Sequence, residues 1–119
     1  MAGLKKKDAW VKKDILFKAI YSEGSSVAGR EIVLKYLFVG GEGRTKAGFS
    51  VAKRIGNAVV RNKIKRRLKN IIRAESHRIK KGYALVFICR TAVASRSFPE
   101  TSAAVTGLLQ RAGLLEDHK

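Results

Sequence analysis

Acidic residues are scarce in this sequence. Its 119 residues include 26 Lys and Arg but only nine Asp and Glu, which gives a formal net charge of +17. General acid–base catalysis needs two titrating groups held together, and a nuclease metal site needs clustered carboxylates. Because the nine acids are scattered along the chain, we expect no catalytic residue and no metal ligand in it.

Cysteine pairs, long apolar runs and a signal peptide are also lacking. A single cysteine, Cys89, excludes an internal disulfide and offers no metal-ligand spacing. No run approaches the roughly 18 apolar residues that suggest a membrane span. The N-terminus is basic, but no apolar signal-peptide core follows it. These features predict a soluble, cytoplasmic protein with no membrane span.

Positive charge is present in excess, and most of it is concentrated. Residues 44–90 hold fifteen Lys or Arg and one acid, Glu75, and so carry +14 of the net charge. Such a charge is typical of proteins that bind nucleic acid or an anionic membrane. A chain of this length suffices for one domain with a modest core. We therefore interpret 1–119 as a single RNA- or DNA-binding domain with a basic arm at 1–13 and a tail at 114–119.

Residues 53–73 organise the rest of the chain, because they hold nine Lys or Arg, no acid and a regular apolar stripe. A helix advances about 100° per residue, and this spacing separates the stripe from the cations. The predicted apolar side consists of Val60, Ile64, Leu68, Ile71 and Ile72. The opposite side consists of Asn62, Lys65, Arg66, Lys69 and Arg73. The pattern predicts a helix that packs on a core with one side and presents cations on the other.

The start of this helix is a predicted phosphate site. Asn57 suits the N-cap, and Gly56 favours a sharp turn into the helix. Unpaired N–H groups at the helix start, with Lys53 and Arg54 just upstream, would attract a phosphate. A merely solvated charged face is the alternative, but such faces usually mix signs. Cations without intervening acids repel one another, and a bound polyanion would remove that repulsion.

The remaining elements are predicted from periodicity and turn residues. They are a helix over 13–22, a turn with a very short strand over 23–29, a strand over 31–39, a hairpin loop at 40–43, its partner strand over 46–54, a buried central strand over 83–89, and a last helix with Ser97 as N-cap and Gly113 as stop. This order predicts an α+β fold in which helices pack against a single sheet.

Two aromatic residues on the first helix, Phe17 and Tyr21, lie four positions apart. The predicted core stripe of this helix consists of Ile15, Leu16, Ala19 and Ile20. Phe17 and Tyr21 fall beside it, so both rings belong either to the rim of the core or to the wall of a groove. In a groove, single-stranded bases could stack on them, with about 1–3 kcal/mol for each base.

The run GFSVAKRIGNAVVRNKIKRRLKNIIR at 48–73 closely resembles the signature of bacterial ribonuclease P protein subunits. The hallmark Arg-Asn-Arg of that family is here Arg61, Asn62 and Lys63, which preserves the charge. The resemblance continues in the basic arm, the Phe17/Tyr21 helix, the SSVAGREIVL stretch and the ALVFICR strand. It covers almost the whole chain.

This resemblance implies an accessory subunit of a ribonucleoprotein endonuclease. In the family, a large RNA is the catalyst and removes the 5′ leader from precursor tRNA with Mg²⁺, which the RNA subunit mainly binds. The implied partners are ribonuclease P RNA and the leader of precursor tRNA, and no protein partner is required. The implied fold is a single-domain α/β sandwich with a four-stranded sheet and a left-handed β–α–β crossover through the basic helix, similar to ribosomal protein S5 domain 2.

The resemblance also implies two sets of binding residues. Those expected to contact the catalytic RNA are Lys53, Arg54, Asn57, Arg61, Asn62, Lys63, Lys65, Arg66, Lys69 and Arg73. Those expected to line a groove for the single-stranded leader are Phe17, Tyr21, Lys35, Ser50 and Lys53. The first set follows the basic motif, and the second surrounds the aromatic pair.

Two of these positions leave alternatives open. The family often has an aromatic residue where Lys35 aligns, so either the leader contact there is ionic or the register is off by one and Tyr36 is the equivalent. Arg61 lies beside the apolar stripe, where it either braces the helix or reaches round its end to RNA.

Two other classes of function share some of these features. A ribosomal protein or general RNA chaperone would share the charge but would not need the aromatic pair. A self-sufficient nuclease would need grouped carboxylates, which this chain does not bring together in sequence.

Overall fold

The computed structural model describes residues 14–116, and of residues 14–16 it describes only the backbone. Within this range the elements are α1 (Asp14–Glu23), β1 (Ser25–Ala28), β2 (Ile32–Phe38), β3 (Lys46–Ser50), a 3₁₀ helix (Lys53–Ile55), α2 (Ala58–Glu75), β4 (Tyr83–Cys89), a second 3₁₀ helix (Thr91–Ser95) and α3 (Phe98–Arg111). The α+β class is confirmed. The predicted basic arm at 1–13 and the last three residues, 117–119, lie outside the described residues.

The four strands form one sheet in the order β1–β2–β4–β3. Neighbouring strands are antiparallel except for β3 and β4, which are parallel. The predicted hairpin between 31–39 and 46–54 is therefore wrong, because β4 lies between these two strands. The apolar side chains of β4 favour an inner position that is covered on both faces, and the five-residue β3 becomes an edge strand.

The connection from β3 to β4 runs through α2, so the basic helix is the crossover between two adjacent parallel strands. This crossover and the four-stranded sheet agree with the expected sandwich. The left hand of the crossover stays a prediction.

One side of the sheet, which we call the helix-covered face, packs against α2 and α3. Its buried strand residues are Ile32, Leu34, Ala47, Leu85, Phe87 and Cys89. The predicted apolar stripe of α2 packs here: Ile64, Leu68, Ile71 and Ile72 are buried, with Val60 at the edge. From α3 come Val105, Leu108 and Leu109. Burial of this stripe fixes the axis of α2 and the direction in which its cations point.

The end of α3 returns the chain to the core. Gly113 has φ +74°, a left-handed conformation that glycine adopts without strain. The N–H of Leu114 then donates to the carbonyl of Leu109 at 2.9 Å, and the Leu114 side chain is 1 % exposed. Leu115 forms an antiparallel bridge with Ile79. The predicted tail therefore begins too early, because residues 114–116 are part of the folded domain.

Candidate nucleic-acid interface

The opposite side of the sheet, which we call the groove face, is only partly covered by residues 14–116. Ile20 of α1 is buried against Ala84 and Val86 of β4. A row formed by Ala28, Val33, Ile88 and Ser50 crosses all four strands in register. These four side chains are half-buried or exposed. Beside α1 the sheet therefore leaves a shallow groove with this row as its floor.

Phe17 and Tyr21 of α1 form an aromatic pair on the groove face. Their ring centroids are 6.3 Å apart in an edge-to-face arrangement. Phe17 is half-buried and packs on the Ile20 cluster, whereas Tyr21 is 44 % exposed. Phe17 thus contributes to the rim of the core, and Tyr21 presents a ring that a ligand can reach.

Lys35 lies on the same face as this aromatic pair. Its register partner is Val86, which packs against α1, and its Nζ lies 5.9 Å from the centroid of the Tyr21 ring. This is the range of a cation–π contact. Tyr36 points the other way and packs against the helix-covered core. The structure therefore brings Lys35, and not Tyr36, to the groove.

Two cations, Lys53 and Arg54, lie just beyond the Ser50 end of the groove floor. Ser50 is half-buried opposite Ile88, and the 3₁₀ helix Lys53–Ile55 begins three residues later. Ile55 is buried and anchors this turn, while Lys53 and Arg54 are exposed. Both cations therefore lie between the end of β3 and the start of α2.

The start of α2 has the predicted cap. The side-chain oxygen of Asn57 accepts a hydrogen bond from the N–H of Val60 at 3.0 Å. The role of Gly56 differs from the predicted turn, because its backbone is extended. A Cβ on Gly56 would lie 2.8 Å from Cγ1 of Val60. Glycine is therefore needed here so that the chain can pass close under the first turn of α2.

Arg61 braces this junction. Its Nε donates to the carbonyl oxygen of Gly56 at 3.1 Å, and its side chain is half-buried. Of the two alternatives for Arg61, the structure shows the brace. The bond joins the first turn of α2 to the segment that carries Lys53 and Arg54, so it holds the two groups of cations in a fixed relation.

The outer side of α2 is strongly cationic. Its polar side chains are exposed or half-buried: Asn62, Lys63, Lys65, Arg66, Lys69, Asn70 and Arg73. The only acid in the helix is its last residue, Glu75, which pairs with Arg78 at 2.8 Å. Like charges one turn apart destabilise a helix. A polyanion bound along this side would remove that repulsion.

Arg67 is a feature that the sequence pattern missed. Its helical angle places it beside the apolar stripe, and the structure shows it half-buried against the second 3₁₀ helix. Its Nη1 donates to the carbonyl of Arg96 at 3.2 Å. The spacing of four residues between Lys63 and Arg67 could have indicated that the two side chains are neighbours, because residues i and i+4 lie on the same side of a helix.

Two kinds of feature, a metal-binding cluster and a membrane-spanning helix, are absent from residues 14–116. There, no three His, Cys, Asp or Glu side chains form a group that could hold a metal ion. No helix in the same range has the length and apolar character needed to cross a membrane. Burial raises the pKa of the Cys89 thiol to about 12, so Cys89 stays protonated and packs as a small apolar group.

Comparison with known proteins identifies the family. The ribonuclease P family model matches residues 5–113. The ribonuclease P protein component of Symbiobacterium thermophilum is 39% identical over 111 residues, covering 93% of this chain and 96% of that protein. A Staphylococcus aureus RNase P protein mutant with defective mRNA degradation activity superposes with a TM-score of 0.87 at 29% identity, covering 92% of each chain. The RNase P protein of Thermotoga maritima gives a TM-score of 0.74 at 26% identity, covering 93% of this chain and 97% of that one.

The family match spans most of the chain, and the solved structures share its four-stranded α+β fold. Membership in this family implies a ribonuclease P RNA as partner. The chain therefore belongs to the ribonuclease P protein component family, whose members are subunits of a ribonucleoprotein endoribonuclease in tRNA processing.

Proposed function

We propose that this chain binds ribonuclease P RNA through α2 and binds the single-stranded 5′ leader of precursor tRNA through the groove face. In doing so it assists the Mg²⁺-dependent removal of the leader. The two nucleic acids would lie on different sides of the sheet, and the cations Lys53 and Arg54 would lie at the junction between them.

The observation that carries this proposal is the division of α2 into two sides. Its apolar side is buried on the sheet, and its outer side presents cations with no acid before Glu75. Because packing already fixes the helix that carries these cations, its backbone loses little conformational freedom on binding, so more of the electrostatic gain remains as affinity. This arrangement suits the phosphates of a structured RNA.

The leader part of the proposal is supported by the groove. An exposed Tyr21 ring, a half-buried Phe17 and the Lys35 ammonium surround a floor of small and apolar side chains. Aromatic faces bind unpaired bases without sequence preference, and a cation beside them attracts the backbone. Both features fit a leader whose sequence differs from one tRNA to another.

We assign the Mg²⁺ requirement to the RNA subunit. Mg²⁺ takes oxygen ligands and is usually held by a few carboxylates together with phosphates. The described part of this chain does not bring three such ligands together, so it does not fit a metal held by the protein. Its contribution is to position the two RNAs.

Cleavage of precursor tRNA at low Mg²⁺ tests the proposal. The assay compares protein alone, RNA subunit alone, and both together. We expect cleavage only with both, because the RNA supplies the chemistry and the protein supplies binding. Cleavage by the protein alone would indicate a self-sufficient nuclease, and an effect reproduced by any basic protein would indicate a general RNA chaperone.

Salt dependence tests the electrostatic part. With about five single-strand phosphate contacts, the logarithm of the association constant should fall with a slope of about −3.5 against the logarithm of the salt concentration. A fourfold rise in salt should then weaken leader binding roughly 100-fold. A nearly flat response would contradict this part of the proposal.

A further inference from the structure

A second cationic site lies beside α2, away from the groove face. A pocket of about 410 Å³ opens between α2, the second 3₁₀ helix and the start of α3. Its α2 wall consists of Val60, Lys63, Ile64 and Arg67, and Arg96 and Glu100 lie across from them. The three elements that form it all belong to the helix-covered side of the sheet.

The two cations on the α2 wall have no acidic partner among the described residues. Lys63 is exposed, and Arg67 uses one N–H group to hold the carbonyl of Arg96. A guanidinium has five N–H donors in a planar fork, so most of the donors of Arg67 remain for a ligand. Because Lys63 and Arg67 are one turn apart, their side chains meet on the same wall.

The acids near the pocket are already engaged. Glu100 accepts a hydrogen bond from the N–H of Ser97 at 2.8 Å and lies 3.7 Å from Nη1 of Arg96. Nε of Arg96 lies 3.1 Å from Glu31, as an ion pair without hydrogen-bond geometry. The carboxylates therefore face Arg96 and the start of α3, and the Lys63 and Arg67 side of the pocket keeps its positive charge.

We propose that this pocket receives a backbone phosphate of the ribonuclease P RNA, held by the Lys63 ammonium and the Arg67 guanidinium against the apolar wall of Val60 and Ile64. The inference rests on the proposed function, because it extends the RNA-binding surface of α2 to the flank that faces α3. The RNA subunit is the source of the phosphate, since the pocket opens on the α2 side and the leader groove lies across the sheet.

The test replaces Arg67 and compares it with a matched arginine. Arg67→Leu removes one charge and the bond to a backbone carbonyl while keeping a good helix former. Arg111→Leu is the control, because Arg111 also donates to a backbone carbonyl, that of Ala28 at 2.8 Å, and lies at the other end of α3. Both variants lower the net charge equally.

The measurement is the affinity of the full chain for the RNA subunit alone over a range of salt concentrations. We expect Arg67→Leu to weaken binding about tenfold at low salt and to reduce the salt slope by roughly 0.7–0.9. Arg67→Lys should keep the slope, because it keeps the charge. Arg111→Leu should leave both quantities nearly unchanged.

Three outcomes would overturn the inference. They are equal effects of Arg67→Leu and Arg111→Leu, an unchanged salt slope in Arg67→Leu, and a loss that appears only when precursor tRNA is present. A combined replacement of Lys65, Arg66 and Lys69 separates this inference from the proposed function. If that variant loses RNA binding while Arg67→Leu keeps it, the pocket alone is wrong. If that variant binds normally, the assignment of the outer side of α2 to the RNA is wrong.

Discussion

On the helix-covered face of the sheet, Ile32, Leu34 and Phe87 are completely buried, whereas on the groove face of the same strands Val33 and Ile88 remain half-exposed. The difference comes from coverage. Within the described part of the chain, two helices of 18 and 14 residues lie on the first face, and one helix of 10 residues lies on the second. Since side chains alternate along a strand, one sheet can act as a rigid support on one face and as an open floor on the other.

The largest expected effect tests the packed side of this comparison. Leu68→Ala in α2 should lower the free energy of unfolding by about 3 kcal/mol, because it leaves a cavity among fully buried side chains. Ile88→Ala on the groove face should cost about 1 kcal/mol, because part of that side chain already meets solvent. Urea denaturation followed by circular dichroism measures both. Equal losses would mean that the two faces are packed equally.

A smaller effect tests the open side. Tyr21→Ala should weaken binding of precursor tRNA by the holoenzyme roughly 5- to 150-fold, from about 1–3 kcal/mol for a stacked base. Phe17→Ala should act in the same direction and also reduce stability, because Phe17 contributes to the core rim. Affinities for precursor and mature tRNA provide the measurement.

Two controls accompany the aromatic variants. Tyr21→Phe keeps the ring and should keep most of the affinity. Phe98→Ala removes another exposed aromatic, 41 % exposed at the start of α3, and should leave leader binding unchanged. The leader groove would be contradicted by equal losses for precursor and mature tRNA.

The smallest effect concerns the start of α3, which helps to cover the packed face. The hydroxyl of Ser97 accepts from the N–H of Glu100 at 3.2 Å, and the Glu100 carboxylate accepts from the N–H of Ser97. Ser97→Ala should cost about 1 kcal/mol of stability. Ser102→Ala, later in the same helix, should cost less, because alanine favours a helix interior. Thermal unfolding compares the two variants.

The same cap predicts a pH dependence. The N–H of Ser97, and after it the Ser97 hydroxyl, lowers the pKa of Glu100 below its ordinary value of 4.5. A carboxyl with a lowered pKa in the folded state adds stability above its unfolded pKa and loses it as the pH falls through the folded pKa. The stability difference between wild type and Glu100→Gln should therefore be present at pH 7 and vanish in acid. A difference that grows in acid would contradict the capping contact.

Local patterns in the sequence predicted the individual elements well. The α2 stripe, its Asn57 cap, the Ser97 cap and the central strand 83–89 are all confirmed. Each of these depends on spacing or on a side chain that satisfies a nearby backbone group. Such information lies within one element, so it can be read before the fold is known.

Non-local contacts could not be predicted in the same way. The glycine-rich loop at 40–43 is typical of a hairpin, but the pairing of β2 depends on β4, which comes about fifty residues later. Each strand can in principle pair with any other strand of the sheet, so the order depends on all four strands together. Here β4, which is almost entirely apolar, takes an inner position. Arg67 was missed for a related reason, because its carbonyl partner lies 29 residues away, on Arg96.

The groove residues fall between these cases. Period-two alternation along a strand predicts that Lys35 and Tyr36 lie on opposite faces, and the structure shows that separation. Which face remains open depends on where α1 packs on the sheet, and no local pattern contains that placement. The roles of the groove and α2 residues in binding RNA stay predictions for the experiments above.

The return of the chain after α3 has a practical consequence for truncated and tagged forms of the protein. Leu114 is buried, its carbonyl accepts from the N–H of Lys80, and the N–H of Glu116 donates to Arg78. Shortening the chain to Gly113, two residues after the end of α3, would uncover the core and free the segment that links α2 to β4. A reporter or purification tag is better joined after residue 116, so that the contacts between residues 114–116 and residues 78–80 stay intact.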